Sequence, residues 1–133
     1  KTLTGLHGRW ETLSKNPLTI CDTGHNPEGI TEVLKNIQYI TYKNLHFVIG
    51  VVHDKDIGKI LAMLPKHATY YFCKPDIPRG LDAELLQQKA EAFGLHGEIY
   101  VSVKAALKTA QSQADKNDLV FVGGSTFVVA EIV

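Results

Sequence analysis

Residues 19–29 read Thr-Ile-Cys-Asp-Thr-Gly-His-Asn-Pro-Glu-Gly, and this stretch predicts how the chain folds. Its first residues are apolar and β-prone, which indicates a buried strand ending at Asp22. Asn26 and Pro27 suit the N-cap and the first position of a helix. The stretch is therefore a strand-to-helix turn. In an open α/β sheet ligands bind at such turns, because the side chains there reach solvent from rigid elements.

The rest of the chain repeats this alternation of strand and helix. Apolar residues three and four places apart after Pro27 predict a helix buried along one face, namely at Ile30, Val33, Leu34 and Ile37. The nearly apolar run at residues 45–52 predicts a central parallel strand that is covered on both faces. Two earlier strand-like runs, 9–13 and 18–22, are joined by the turn-prone residues 14–17 and predict a hairpin.

This pattern predicts an α/β fold, a Rossmann-like three-layer domain. Parallel strands need crossover connections, so we expect a mostly parallel sheet of about six strands with helices on both faces. The first hairpin would add one antiparallel strand. The 133 residues are enough for a single domain, 1–133, whose core needs neither a disulfide nor a metal.

Composition excludes several classes of partner. Lys plus Arg equals Asp plus Glu at 14 each, and the absence of a basic run argues against nucleic acid. No apolar run approaches a membrane span and no signal peptide is visible, so we expect no membrane partner and a cytoplasmic location. Cys21 and Cys73 lie in apolar runs, where a thiol acts as a small hydrophobe. The histidines show no metal-ligand spacing, so no metal site is predicted.

Polar residues without an obvious structural role follow three of the predicted strands. They are Asp22 with His25 and Asn26, then Asp54-Lys55-Asp56, then Gly123-Gly124-Ser125; Arg9 opens the hairpin. If these groups converge, they supply a guanidinium for anions, a carboxylate suited to a ribose diol and backbone amides at helix N-termini. Such a set is typical of a site for a nucleotide or a carboxylated ligand.

Each of these residues also has a structural interpretation. Asp22 is alternatively a cap or an ion-pair partner, and His25 a turn histidine. Asp54 or Asp56 is alternatively the N-cap of the next helix, as is Ser125 for the last one. Gly123-Gly124 is too short for a phosphate loop, and no Gly-x-x-x-x-Gly-Lys-Ser/Thr pattern occurs in the sequence.

Several motifs resemble one family. At Gly8-Arg9-Trp10-Glu11, Pro17 and Asp22-Thr23-Gly24-His25-Asn26-Pro27, the chain resembles the C-terminal domain of folylpolyglutamate synthases and dihydrofolate synthases, members of the Mur ligase family. The strand that ends in Asp54-Lys55-Asp56 and the segment Val122-Gly123-Gly124-Ser125 resemble the same domain. The family often has Asp-Gly-Ala-His-Asn-Pro, whereas glycine comes one place later here. Because threonine resists a positive φ, a family turn that needs one at this place must have a different backbone here.

The resemblance implies a ligase of folate biosynthesis and one-carbon metabolism that uses ATP and magnesium. Such a ligase turns a substrate carboxylate into an acyl phosphate, and the amino group of L-glutamate attacks it to give an amide. The substrate is dihydropteroate, a folate that already carries glutamate, or both. The pterin site decides between them, and the family places it mainly outside this domain. The family also places the phosphate loop and the magnesium ligands in a preceding P-loop ATPase domain of the same polypeptide. The domain alone is therefore expected to be inactive.

The resemblance also implies roles for individual residues on the nucleotide side. Arg9 contacts ATP, and Asp22 holds the ribose hydroxyls. His25, the catalytic residue, lies beside both the nucleotide and the incoming glutamate, and Asn26 belongs to the ATP-binding set.

On the glutamate side, Ser125 lines the site. Asp54 and Lys55 face either the glutamate or the other domain. A hypothesis from a different class is a free-standing Rossmann-like module that binds a nucleotide or an amino acid and catalyses nothing.

Overall fold

The computed structural model describes residues 9–54 and 56–133, and these contain six strands and five helices. The strands are β1 (Glu11–Lys15), β2 (Leu18–Cys21), β3 (Leu45–Ile49), β4 (Thr69–Phe72), β5 (Gly97–Ile99) and β6 (Leu119–Gly123). The helices are α1 (Pro27–Gln38), α2 (Ile57–Met63), α3 (Ala83–Glu91), α4 (Val103–Gln113) and α5 (Thr126–Ala130). The strands form one sheet in the order β1-β2-β6-β3-β4-β5. Only the β1–β2 pair is antiparallel, which confirms the predicted mixed sheet.

Helices cover both faces of this sheet. One face packs against the apolar sides of α1, α2 and α3, and the other against α4 and α5. In α1 the residues buried against the sheet are Ile30, Val33 and Ile37, as the periodicity predicted. Within the described residues no helix is long and apolar enough to cross a bilayer.

The structure corrects some predicted boundaries. β1 begins at Glu11 and runs to Lys15, so the hairpin turn is only Asn16–Pro17, whose peptide bond is cis. β3 ends at Ile49 rather than at Val52, because the sheet ladder stops there and Val52 pairs with Gly80 in an isolated antiparallel bridge. The local sequence remains apolar beyond Ile49, which is why it did not reveal where the ladder ends.

The amino end of the sheet, where the parallel strands begin, carries a buried polar network. His46 Nε2 donates to Asp118 Oδ2 at 2.9 Å, and His46 Nδ1 lies 2.8 Å from the Tyr71 hydroxyl. That hydroxyl lies 2.8 Å from Gln113 Oε1, and Asp118 also accepts from the backbone N–H groups of Asn44 and Asp115. Each polar group of this network therefore has a partner within the protein.

Titration of these groups reflects their surroundings. Burial alone would raise the pKa of Asp118, but hydrogen bonds from His46, Asp115 and Asn44 outweigh it and lower that pKa. Burial raises the pKa of Tyr71 to about 12, and the nearby Tyr100 and Asp118 add to the shift. The network thus holds an ionised carboxylate and a neutral phenol at neutral pH.

Both cysteines are buried and free, as the sequence predicted. Burial, followed by the charges of Glu11 and Asp22, raises the pKa of Cys21 to about 12. Burial and Glu131 raise the pKa of Cys73 to about 12 as well. Neither thiol is a nucleophile at neutral pH.

Candidate functional site

Three of the four predicted polar segments meet at the carboxyl end of the sheet, where its parallel strands finish. β6 lies between β2 and β3, so the segments that follow these strands are neighbours. The Asp22 N–H donates to the Val122 carbonyl at 3.2 Å, and the Gly50 N–H donates to the Gly123 carbonyl at 3.4 Å. Topology therefore brings the ends of β2, β6 and β3 together, although they are far apart in sequence.

Asp22 fixes the turn after β2 and also anchors the fourth segment. Its Oδ1 accepts from the Gly24 N–H at 2.7 Å, and its Oδ2 accepts from the Trp10 N–H at 2.9 Å. The side chain is half-buried and acts as a cap, which was one of the two interpretations of the sequence. A carboxylate oxygen can accept two hydrogen bonds and each Asp22 oxygen accepts one here, so this arrangement leaves capacity for a ligand hydroxyl.

Trp10 holds the Arg9 segment beside Asp22. Its φ of 46° lies in the left-handed region, which is unusual for an aromatic residue. The bond to Asp22 and the packing of its ring 6.0 Å from the Phe121 ring hold that conformation. The side chain of the preceding Arg9 is exposed, and it forms no hydrogen bond or ion pair with another described residue. Arg9 thus directly precedes a residue bonded to Asp22, and its guanidinium is unpaired within residues 9–54 and 56–133.

His25 and Asn26 lie at the start of α1, and both are exposed. Asn26 is the N-cap, with Oδ1 accepting from the Gly29 N–H at 2.8 Å. His25 Nδ1 lies 3.3 Å from the Thr23 carbonyl. Because a carbonyl only accepts, Nδ1 is the donor in this contact.

The turn between Asp22 and His25 needs no left-handed residue. Within the described part of the chain, the residues with positive φ are Trp10, Gly94 and Gly124, so neither Thr23 nor Gly24 has one. Gly24 is packed closely, since a Cβ there would lie 3.0 Å from the Gly29 carbonyl oxygen. The order Thr23-Gly24 is therefore compatible with this turn.

Gly124 and Ser125 connect β6 to α5. Gly124 has a φ of 99°, and a Cβ there would lie 2.7 Å from the Gly50 carbonyl oxygen, so the position requires glycine. Ser125 is the N-cap of α5, and its hydroxyl accepts from the Phe127 N–H at 3.0 Å. Ser125 is only 1% exposed, so its structural role as a cap is clear, and its contact with glutamate stays a prediction.

Asp54 and Asp56 precede α2. Asp54 is exposed and its Oδ1 accepts from the Asp56 N–H at 2.8 Å, which forms a local turn. Asp56 takes the N-cap position but makes no side-chain cap bond, and it lies 3.8 Å from Lys59 Nζ. Lys55, predicted to face the glutamate or the other domain, lies outside the described residues.

The loop after β4, residues 74–81, also reaches the carboxyl end of the sheet, and sequence reasoning missed it. The His53 N–H donates to the Arg79 carbonyl at 2.9 Å, and the Leu81 N–H donates to the Val51 carbonyl at 2.9 Å. Arg79 thus lies beside the segment that leads to Asp54. The available signal was an arginine between Pro78 and Gly80 in the longest irregular stretch of the sequence.

Among residues 9–54 and 56–133 no group of three or more His, Cys, Asp or Glu side chains is placed to hold a metal ion. The carboxyl end instead presents a guanidinium, an imidazole and carboxylates. These groups suit the phosphates, ribose and amino-acid parts of organic ligands.

Comparison with known proteins gives a consistent result. The family model described as "Mur ligase, glutamate ligase domain" matches residues 8–126. The probable bifunctional folylpolyglutamate synthase/dihydropteroate synthase of Haloferax volcanii is 40% identical over 125 residues, which make up 93% of this chain and 15% of that protein. The dihydrofolate synthase/folylpolyglutamate synthase of Escherichia coli K12 is 37% identical over 130 residues, or 96% of this chain and 30% of that protein.

A solved structure agrees with these relatives. A bifunctional folylpolyglutamate synthase/dihydrofolate synthase with Mn, AMPPNP and L-glutamate bound superposes with a TM-score of 0.84 at 31% identity. The match covers 96% of this chain and 31% of that one. The chain therefore spans less than a third of each of these proteins.

Proposed function

The chain belongs to the Mur ligase family as a glutamate ligase domain, and from that membership we propose that it is the C-terminal domain of an ATP-dependent folate–glutamate ligase. The whole ligase adds L-glutamate to dihydropteroate, to folate, or to both. ATP phosphorylates the substrate carboxylate, and the resulting acyl phosphate reacts with the amino group of glutamate. The amide forms as phosphate leaves.

The observation that carries this proposal is the anchoring of the Arg9 segment to Asp22 at the carboxyl end of the sheet. The bond from the Trp10 N–H to Asp22 Oδ2 holds the residue after Arg9 beside a carboxylate that has spare acceptor capacity, and the Arg9 side chain has no partner among the described residues. A cation suits the phosphates of ATP, and a carboxylate suits the paired hydroxyls of ribose. We therefore assign the binding of ATP to Arg9, Asp22, His25 and Asn26, with His25 as the catalytic residue.

The remaining parts of the reaction follow from the same proposal. Ser125, Asp54 and Lys55 receive the glutamate, and the domain closes over the nucleotide. A preceding P-loop ATPase domain of the same polypeptide supplies the phosphate loop and the ligands of Mg²⁺. The free cysteines agree with a reducing compartment, and we place the ligase in the cytoplasm.

Kinetics of a full-length ligase that carries this chain test the assignment of ATP. We expect Arg9→Ala to raise the apparent KM for ATP about 10- to 100-fold, which corresponds to the loss of a charge-assisted hydrogen bond. Asp22→Ala should also raise it. Lys15→Ala is the matched control, because it removes an exposed cation from the far end of β1, the strand that follows Arg9. Unchanged ATP affinity and turnover in both Arg9→Ala and Asp22→Ala would contradict the proposal.

Calorimetric titration of the isolated chain with ATP separates this proposal from a free-standing binding module. We expect weak binding, because the phosphate-holding contacts belong to the preceding domain. Tight binding by the isolated chain would favour the binding module.

A further inference from the structure

Trp10 lies where the pairing of β1 with β2 ends. Glu11 pairs with Cys21 in the antiparallel ladder, so Trp10 and Asp22 would form the next pair. The left-handed φ of 46° at Trp10 turns the chain out of the extended conformation at this point. The Trp10 N–H donates to Asp22 Oδ2 at 2.9 Å and not to a backbone carbonyl of β2. The ladder thus ends on a side chain that is proposed to bind ribose.

The indole ring of Trp10 connects this turn to the core. Its centroid lies 6.0 Å from that of the Phe121 ring, and the side chain packs, half-buried, against the apolar cluster on that face of the sheet. Phe121 is fully buried in β6, where it pairs with Ile20 of β2. On its other side, Phe121 contacts Phe47 with the ring centroids 5.0 Å apart. Close packing of these rings holds the indole in place.

The backbone conformation of Trp10 is not one that its residue type favours. In the left-handed region a Cβ lies too close to the backbone, and glycine avoids this repulsion. The other described residues with positive φ are both glycines, Gly94 and Gly124. Strained residues of this kind persist only where the surrounding structure holds them, and they cluster at functional sites. Glycine at position 10 would relieve the strain but would remove the ring that connects the turn to the core.

The turn joins the two groups to which we assign ATP. Arg9 directly precedes Trp10 in the chain, and the Asp22 carboxylate accepts from the Trp10 N–H. The other oxygen of that carboxylate accepts from the Gly24 N–H at 2.7 Å, so two backbone donors fix its orientation. A ligand that binds to groups already ordered loses less free energy to ordering them.

We propose that Trp10 is a positioning residue that orders Arg9 and Asp22 for the binding of ATP. Its ring, packed on Phe121, keeps the turn in the conformation that holds these two residues next to each other. This inference rests on the proposed function of the domain. Trp10 acts through Arg9 and Asp22 and takes no part in the transfer of phosphate.

Steady-state kinetics of a full-length ligase that carries this chain test the proposal. We expect Trp10→Ala to raise the KM for ATP about 10- to 100-fold, the range for misplacement of binding groups. The KM for L-glutamate should stay at the parent value. Trp10→Phe keeps an aromatic ring against Phe121 and should recover most of the affinity for ATP. Trp10→Leu, which is apolar but has no ring, replaces Trp10→Ala if that variant does not fold.

A double variant tests whether Trp10 acts through Arg9. Mutations of residues that act together do not have independent effects. We therefore expect the rise in the KM for ATP in Arg9→Ala/Trp10→Ala to be smaller than the product of the rises in the two single variants. A rise equal to that product would contradict the proposal, because Trp10 would then contribute independently of Arg9.

Phe93→Ala is the matched control. Phe93 is a half-buried aromatic residue that packs against the same apolar cluster, but it lies after α3 and far from Asp22 in the sequence. Thermal unfolding shows how much stability each variant loses. We expect Phe93→Ala to lose stability and to keep the parent KM for ATP. A rise in this KM equal to that of Trp10→Ala would show that loss of packing alone causes the effect, and would overturn the proposal.

Fluorescence gives a measurement that does not depend on activity. Trp10 is the only tryptophan in the sequence, so the emission of this chain reports on the turn. We expect Asp22→Ala to shift the emission to longer wavelength and to increase its quenching by acrylamide, because the turn loses the bond to Asp22. Asp56→Ala, which removes a carboxylate before α2, should leave the emission unchanged. Unchanged emission in Asp22→Ala would contradict the coupling of ring and carboxylate.

The outcomes separate the two proposals. A parent protein without glutamate-dependent consumption of ATP would refute the proposed function and this inference with it. An active parent whose Trp10→Ala variant is folded and keeps the KM for ATP would refute the inference alone. A rise in the KM for L-glutamate equal to that for ATP would also overturn it, since the effect would then lack specificity for the nucleotide.

Discussion

The two ends of the sheet use polar residues in opposite ways. At the amino end, His46, Tyr71 and Asp118 are buried and bonded to one another. At the carboxyl end, Arg9 and Arg79 are exposed, and their guanidinium groups have no partner among the residues that the structure describes. Polar side chains are thus paired within the protein at the amino end, whereas these two guanidinium groups at the carboxyl end are unpaired among the described residues.

This difference separates the polar groups that serve the fold from the exposed groups that we propose to serve a ligand. A buried polar group is costly unless the protein itself supplies its partners, so the network at the amino end contributes to stability. An exposed cation on a rigid loop contributes little to stability and is free to bind an anion. Asp22 combines both functions, because it caps the chain and is proposed to hold the ribose.

The largest expected effect lies at the amino end. We expect Asp118→Ala to lower the free energy of unfolding by about 3–5 kcal/mol, because it leaves buried polar partners such as His46 without their acceptor. Urea denaturation followed by circular dichroism measures this loss of unfolding free energy. In the control Asp56→Ala, an aspartate without a side-chain cap bond is removed. We expect that change to cost at most about 0.5 kcal/mol, and equal losses in the two variants would contradict the comparison.

Low pH should reduce the free energy of unfolding by less than Asp118→Ala does, because a protonated carboxyl still fills the site of Asp118. The pKa of Asp118 is lower in the folded protein than its usual value. Its contribution to stability is therefore complete above the unfolded pKa and is lost as the pH falls through the folded pKa. As the pH falls below the unfolded pKa of an aspartate, about 4, the difference in unfolding free energy between the parent and Asp118→Asn should narrow. A difference that stays constant over this range would show that Asp118 does not titrate in this way.

Asp22 should give an intermediate effect on stability. Asp22→Ala removes the acceptor of the Trp10 and Gly24 N–H groups, and we expect it to lower the free energy of unfolding by about 1–3 kcal/mol. Asp22→Asn keeps one oxygen acceptor and should cost less. Chemical denaturation of both variants checks this order, and a larger loss for Asp22→Asn would mean that the two bonds contribute little.

The smallest effect on stability is expected at His25. His25 is exposed, and its ring makes only a 3.3 Å contact with the Thr23 carbonyl among the described residues. We expect His25→Ala to change the free energy of unfolding by less than about 0.5 kcal/mol and to reduce turnover of the full-length ligase. Thermal unfolding of His25→Ala and the turnover of the same variant are both measured. A destabilised His25→Ala protein would place this residue with the structural groups.

Much of the fold could be predicted because its signals are local. The N-cap Asn26, followed by Pro27 and by apolar residues at helical spacing, specifies α1 within one short segment. The same reasoning predicted the mixed sheet and the strand-to-helix turn that carries Asp22 and His25. It did not predict where β3 ends, since the ladder depends on the neighbouring strand rather than on the residues of β3 themselves.

The sequence alone determined the alternation of strands and helices, the caps and the types of side chain that follow each strand, because hydrophobic periodicity and capping act over a few residues. Only the tertiary structure decided which polar groups meet. His46 and Asp118 are 72 positions apart, and Trp10 reaches Asp22 through a left-handed turn. It also decided that Arg79 lies beside the segment leading to Asp54. Such pairs depend on the order of strands in the sheet, which packing of the whole chain sets and no short segment encodes.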